Sequence, residues 1–166
     1  MHIVLFQPEI PPNTGNIARL CAATGTALHL VEPLGFSLED RYLRRAGLDY
    51  WPHVDVTVWP DLEAYLATAG RERRLVATSS KGGCPVQKMD FTPEDSLLFG
   101  PETRGLPEDV LVRATRRVCI PQRADTVRSL NLSTAAGITL YQALACIGEL
   151  DAWPPNSHPA HGDARS

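Results

Sequence analysis

The stretch HIVLFQPEIPPNTGNIARLCAATGTALHLV, His2 to Val31, decides the fold class. Its opening run, His2–Phe6, is short, apolar and bounded by Pro8, the pattern of a strand. From Asn13 to Thr24 the residues Ile17, Leu20, Cys21 and Thr24 recur at helical spacing, and Gly25 supplies a stop. Ala27–Val31 is a second apolar run, ended by Glu32-Pro33-Leu34-Gly35. Strand, helix and strand in one short stretch form the unit from which parallel sheets are built.

The alternation continues outward from there. A polar helix is expected around Leu38–Ala46, then a strand over Val54–Trp59, where Val54, Val56 and Val58 alternate with Asp55 and Thr57. Asp61–Ala69 reads as a helix and Arg74–Ser79 and Ser96–Phe99 as strands, separated by the Lys81-Gly82-Gly83 turn and a polar loop. Pro107–Ala114 follows as a short helix, Arg117–Ile120 as a strand and Ser129–Leu150 as the longest helix. The expectation is an α/β fold, a mostly parallel sheet flanked by helices, in a single domain over residues 1–150. The Pro-rich, polar residues 151–166 read as a disordered tail, so His158 and His161 within it are not metal ligands.

Charge narrows the function classes. Sixteen basic residues stand against 19 acidic ones, a net of −3, which argues against a surface coated for indiscriminate binding to nucleic acid. All the basic residues except Lys81 and Lys88 are Arg, the residue suited to planar, bidentate contacts with phosphates and bases. Local, geometric recognition therefore stays open. No apolar stretch reaches membrane-spanning length, and the N-terminal run lacks the basic lead-in of a signal peptide. Cys21, Cys84, Cys119 and Cys146 are widely spaced with no C-x-x-C pair, which reads as small buried hydrophobes in a reducing cytosol.

In parallel sheets ligands bind where loops leave the carboxyl ends of strands, and three such loops carry polar groups. In the first, Gln7 to Arg19, three prolines stiffen the entry, Asn13 reads as the helix cap, and Arg19 near a helix start suits a phosphate. The second, Gly100-Pro101-Glu102-Thr103-Arg104-Gly105-Leu106-Pro107, sets a Glu and an Arg between two glycines. The third sets Ser129, Asn131 and Ser133 at a helix start, downstream of Arg123 and Arg128. Each is bland alone, as a solvated Arg, a turn or an ordinary cap. The dinucleotide fingerprint G-x-G-x-x-G, the P-loop, H-E-x-x-H and the G-x-S-x-G elbow are all absent.

Taken together the segments Pro8–Ile17, Gly100–Pro107 and Ser129–Ser133 resemble the three signature motifs of the SPOUT class of RNA 2′-O-methyltransferases. Leu43–Trp51 resembles a further hallmark of its small single-domain members, which methylate the wobble nucleotide of tRNAs. The resemblance spans about residues 1–150. It implies S-adenosylmethionine as methyl donor, no metal, and a trefoil knot in the C-terminal part, although knots are otherwise nearly absent from proteins. It places the donor near Thr78, Gly100, Ile120, Ser129, Leu130 and Asn131, and the catalytic groups at Arg19, Asn13, Glu102, Ser129 and Asn131.

The implied substrate is the wobble cytidine or modified uridine in the anticodon stem-loop of a tRNA, with leucine tRNAs favoured. Arg44, Arg45, Arg123, Arg128 and Tyr50 are the candidate RNA contacts, joined by Trp51, which reads equally as core or interface. Members of the class are cytoplasmic homodimers whose sites combine both chains, and the last helix with Tyr141 is the expected interface. Arg19 has two readings. As a base it would need help from the substrate's phosphate, because a guanidinium is effectively never deprotonated; as a cation it would hold that phosphate and ease loss of the hydroxyl proton. The rivals are a ribosomal RNA methyltransferase of the same class and a silent RNA- or nucleotide-binding module.

Overall fold

The computed structural model describes residues 1–38, 53–123 and 127–154. Its strands are β1 (His2–Phe6), β2 (Ala27–Val31), β3 (Val56–Trp59), β4 (Arg74–Thr78), β5 (Cys84–Pro85), β6 (Asp95–Phe99) and β7 (Arg116–Cys119). The helices are α1 (Pro11–Thr24), α2 (Leu62–Ala67), α3 (Glu108–Leu111) and α4 (Leu132–Cys146). The strands form one sheet in the order β3-β2-β1-β6-β4-β7-β5, and every pairing is parallel. The expected α/β architecture is the observed one.

Central strands of such a sheet are covered on both faces and so run apolar without a break. The pleat then divides their side chains between two cores. On β1, Ile3 and Leu5 join the core that includes Ile17 of α1 and Leu140 and Leu144 of α4, whereas Val4 joins Leu62, Tyr65 and Val110 on the other face. Leu97 and Phe99 of β6 follow the first set and Leu98 the second. Thus α1 and α4 cover one face, and α2 and α3 the other. At the opposite edge from the loops, the carboxylate of Asp95 is completely buried; Arg74 donates to it at 2.6 and 2.8 Å, and the amide and hydroxyl of Thr92 at 3.0 Å each.

Several boundaries differ from the sequence reading for physical reasons. Asn13 is not the cap of α1: Pro11 and Pro12 open that helix, where a missing N–H has no intrahelical partner to lose, and Ile10 stands at the cap. That leaves the side chain of Asn13, 5% exposed, free for tertiary contacts. The last helix starts at Leu132, because Asn131 caps it by accepting from the amides of Ser133 and Thr134. It ends at Cys146; Gly148, at φ 75°, turns the chain into a separate 3-10 turn over Glu149–Ala152. Trp153 then packs edge-on against Tyr141, ring centroids 6.4 Å apart, so the chain stays packed beyond residue 150. The polar loop after β4 hides the two-residue strand β5, too short to show a period.

The cysteines also depart from expectation. Cys21 is buried, which pushes its thiol up to about 12, but Cys84 and Cys119 are half-buried and Cys146 is exposed. Cys146 stands at the last residue of the helix, exposed although its thiol donates to the Met89 carbonyl at 3.7 Å. The helix expected around Leu38–Ala46 lies almost wholly outside the described residues.

Candidate functional site

The strand order reverses at β1: β2 and β3 extend to one side, while β6, β4 and β7 extend to the other. The carboxyl ends beside such a switch point leave a crevice between diverging loops. Here it holds a cavity of about 630 Å³, of a size that takes a drug-sized ligand. Its walls come from the loops after β1, β6, β4 and β7, and among them are Asn13, Thr78, Gly100, Glu102, Ile120 and Leu130.

Backbone constraints shape each loop. Gly100 packs so closely on the returning chain that a Cβ there would lie 2.4 Å from the Leu106 nitrogen. Gly105 completes the fold-back at φ 71°, a conformation glycine adopts without strain. Gln7 takes φ 49°, unusual for a residue with a Cβ; its amide donates to Val31 O at 2.9 Å, and its side chain accepts from Arg104 at 2.8 Å.

Two hydrogen-bonded circuits tie the loops together. In the inner one Asn131 donates through Nδ2 to Asn13 Oδ1 at 2.9 Å, while its own Oδ1 caps α4. Asn13 Nδ2 in turn donates to Glu102 Oε1 at 3.1 Å, and the Glu102 carboxylate also accepts from the amides of Glu9 (2.8 Å) and Ile10 (3.3 Å). In the outer circuit Thr103 donates its amide (3.1 Å) and hydroxyl (2.7 Å) to Glu9 Oε2 and accepts from Arg128 Nη2 at 2.8 Å. The Thr103 donors hold the Glu9 carboxyl below its usual range. Both circuits link the same three loops, so Asn13, Glu102 and Asn131 act first as the frame of the cavity.

The model of the SpoU rRNA Methylase family matches residues 1–141. The chain belongs to that family. Among its SpoU relatives is the tRNA (cytidine(34)-2′-O)-methyltransferase of Methylovorus glucosotrophus, 54% identical over 144 residues, 85% of this chain and 92% of that protein. A structure solved in work on the 2-OH methylation of C/U34 on tRNA is 49% identical, with TM-score 0.83, over 87% of this chain and 94% of that one. The SpoU methyltransferase AviRb from Streptomyces viridochromogenes, in complex with the cofactor AdoMet, is 26% identical with TM-score 0.80, over 91% of this chain and 61% of its own.

Most of the residues singled out from the sequence converge in this SpoU chain. Asn13, Thr78, Gly100, Glu102, Ile120, Arg128, Ser129, Leu130 and Asn131 all line the one cavity. Arg19 does not: it is exposed on α1, six residues and about 240° around the helix from Asn13. Arg123 is exposed one residue past Gln122, which lines the cavity. Arg44, Arg45, Tyr50 and Trp51 lie outside the described residues. Missed from the sequence were the Glu9–Thr103 contact and the lining residues Ser79, Ser80 and Lys81. The Lys81-Gly82-Gly83 turn was visible, but only its position beyond the end of β4 brings it to the site. Among the described residues no three His, Cys, Asp or Glu side chains gather to hold a metal, and no helix is long and apolar enough to cross a membrane.

Proposed function

We propose that the chain transfers a methyl group from S-adenosylmethionine to the ribose 2′-hydroxyl of the wobble nucleotide, residue 34, in a tRNA anticodon loop. The observation that carries this reading is the cavity at the switch point, framed by Asn13, Glu102 and Asn131 from three loops that are far apart in sequence. The wobble-methylating relative, aligned over most of both chains, supports the choice of substrate.

The cavity fits the donor in size and in chemistry. Leu106, Val118, Ile120 and Leu130 offer apolar surface for a purine, and Thr78, Gly100 and Ser129 line the same space. When bound, the donor supplies a sulfonium methyl as the electrophile. In the transfer the 2′-oxygen forms the new C–O bond, the C–S bond breaks to leave a neutral thioether, and the hydroxyl proton passes to solvent water. Arg19 is best read as a cation that holds the substrate's phosphate, since a guanidinium does not serve as a base at neutral pH. Its place on α1, away from this chain's own cavity, fits a homodimer in which it serves the cavity of a second copy. Orientation of the hydroxyl against the methyl then supplies most of the acceleration. A knotted C-terminal part and a cytoplasmic location go with this reading.

The test is transfer of labelled methyl from S-adenosylmethionine to unmodified tRNA transcripts, followed by nucleoside mass spectrometry. The expected product is a 2′-O-methyl nucleoside confined to position 34. Label in ribosomal RNA but not in tRNA, or binding of the donor without transfer, would overturn the proposal.

A further inference from the structure

The cavity's acid and two of its cations are already engaged. Glu102 accepts three hydrogen bonds, Arg104 donates to Gln7, and Arg128 donates to the carbonyl of Thr103. Lys81 is different: it lines the cavity and is exposed, and its ammonium has no partner among the described residues. A second exposed cation, Arg123, lies four residues past the end of β7, the strand next to β4. Strands β4 and β7 are neighbours with Thr78 opposite Val118, so Lys81 and Arg123 rise from adjacent strand ends.

The turn that carries Lys81 is fixed. The Ser79 amide donates to Val118 O at 2.9 Å, and the Lys81 amide to Ser79 Oγ at 3.1 Å. Gly83, at φ 143°, lies so close to β7 that a Cβ would come within 2.9 Å of the Arg117 carbonyl. Two exposed cations without an ion-pair partner among the described residues, one of them on a fixed turn, are suited to a phosphate group, for which lysine serves as a point charge.

We propose that Lys81, with Arg123 from the adjacent strand end, holds a backbone phosphate of the RNA at the β4–β7 rim of the cavity. This rests on the reading of the chain as an RNA methyltransferase and adds a residue to it. A strand of RNA arriving from outside meets both cations, whereas a small ligand enclosed in the cavity would leave Arg123 unused, since that residue does not line it.

The experiment compares wild type with Lys81→Ala and Lys81→Arg, using an anticodon stem-loop transcript for RNA binding and S-adenosylmethionine for donor binding, with thermal unfolding to confirm the fold. Lys81→Ala should weaken RNA binding about 3- to 10-fold and lower the slope of log K against log salt by about one, as loss of one phosphate contact requires. Donor affinity should hold, and Lys81→Arg should restore most of the RNA affinity. If Lys81→Ala leaves RNA affinity and salt slope unchanged while wild type binds and methylates RNA, this proposal falls and the methyltransferase reading stands. Weakened donor binding with intact RNA binding would reassign Lys81 to the donor and also overturn it. Failure of wild type to bind RNA at all would overturn both.

Discussion

Replacing Glu102 with Ala should loosen the whole frame of the cavity. The carboxylate accepts from the Glu9 amide at 2.8 Å, the Ile10 amide at 3.3 Å and Asn13 Nδ2 at 3.1 Å. Removing it leaves the Asn13 amide, in a side chain only 5% exposed, without its acceptor, and frees two backbone donors to seek water. Hydrogen bonds to a charged group contribute about 1.5–3 kcal/mol each when buried, but those here are partly wetted and one is long, so the total expected is about 2–4 kcal/mol. In a chain of this length that corresponds to a fall in Tm of roughly 6–12 °C. Glu102→Gln keeps the shape and one acceptor oxygen, and should lose about half as much. Because the inner circuit runs from Glu102 through Asn13 to Asn131, a double-mutant cycle of Glu102→Ala with Asn131→Ala should also show coupling above about 0.5 kcal/mol. Urea and thermal unfolding measure both quantities, and calorimetry with S-adenosylmethionine should show weaker binding in each variant. A Glu102→Ala protein with wild-type Tm, or strict additivity with Asn131→Ala, would refute the account of these residues as a frame.

Four further outcomes follow from single features of the structure. Burial, the neighbouring His29 and Arg73 push His2 down to about 3, and burial pushes His29 down to about 4 against the opposing pull of Asp55. Both rings are therefore held neutral, and the stability they contribute is complete above pH 6.5 and lost as pH falls toward 4 and 3; His29 alone should cost about 2 kcal/mol between pH 7 and 5, read as a falling Tm that flattens in His29→Gln. Gly100→Ala must displace the chain at Leu106 and should weaken donor binding at least tenfold by calorimetry, because the added Cβ meets backbone rather than a movable side chain. Asp95→Ala removes the buried acceptor shared by Arg74 and Thr92 at the amino ends of the strands and, with Arg74 partly exposed and still bonded to the Asp90 carbonyl, should cost about 2–3 kcal/mol in urea unfolding. Arg19→Lys should retain substantial methyl transfer with an unchanged pH optimum if the residue works as a cation; a raised optimum would make it the base.

The fold was legible because its first elements are locally marked: β1 and β2 end where the apolar runs end, and the helix between them, α1, shows its period. What failed locally was decided by distant residues or by backbone chemistry. Asn13 has the residue type of a cap, but Pro11 and Pro12 start the helix earlier and Glu102 and Asn131 claim its side chain. The site was legible only as three polar loops. That they meet depends on β6 lying between β1 and β4, an order that no local pattern encodes. Glu9 and Thr103, 94 positions apart, were invisible as partners for the same reason. Arg19 carries the opposite lesson: its motif points to the site, and the geometry of α1 turns it away from this chain's cavity.

The most direct test of the central claim is the position of the transferred methyl. Purified protein with labelled S-adenosylmethionine and unmodified tRNA, analysed by nuclease digestion and mass spectrometry, should yield a 2′-O-methyl nucleoside at position 34 and nowhere else, and Arg19→Ala should abolish it. Methylation at another position, on a base nitrogen or carbon, or undiminished in Arg19→Ala would contradict the account.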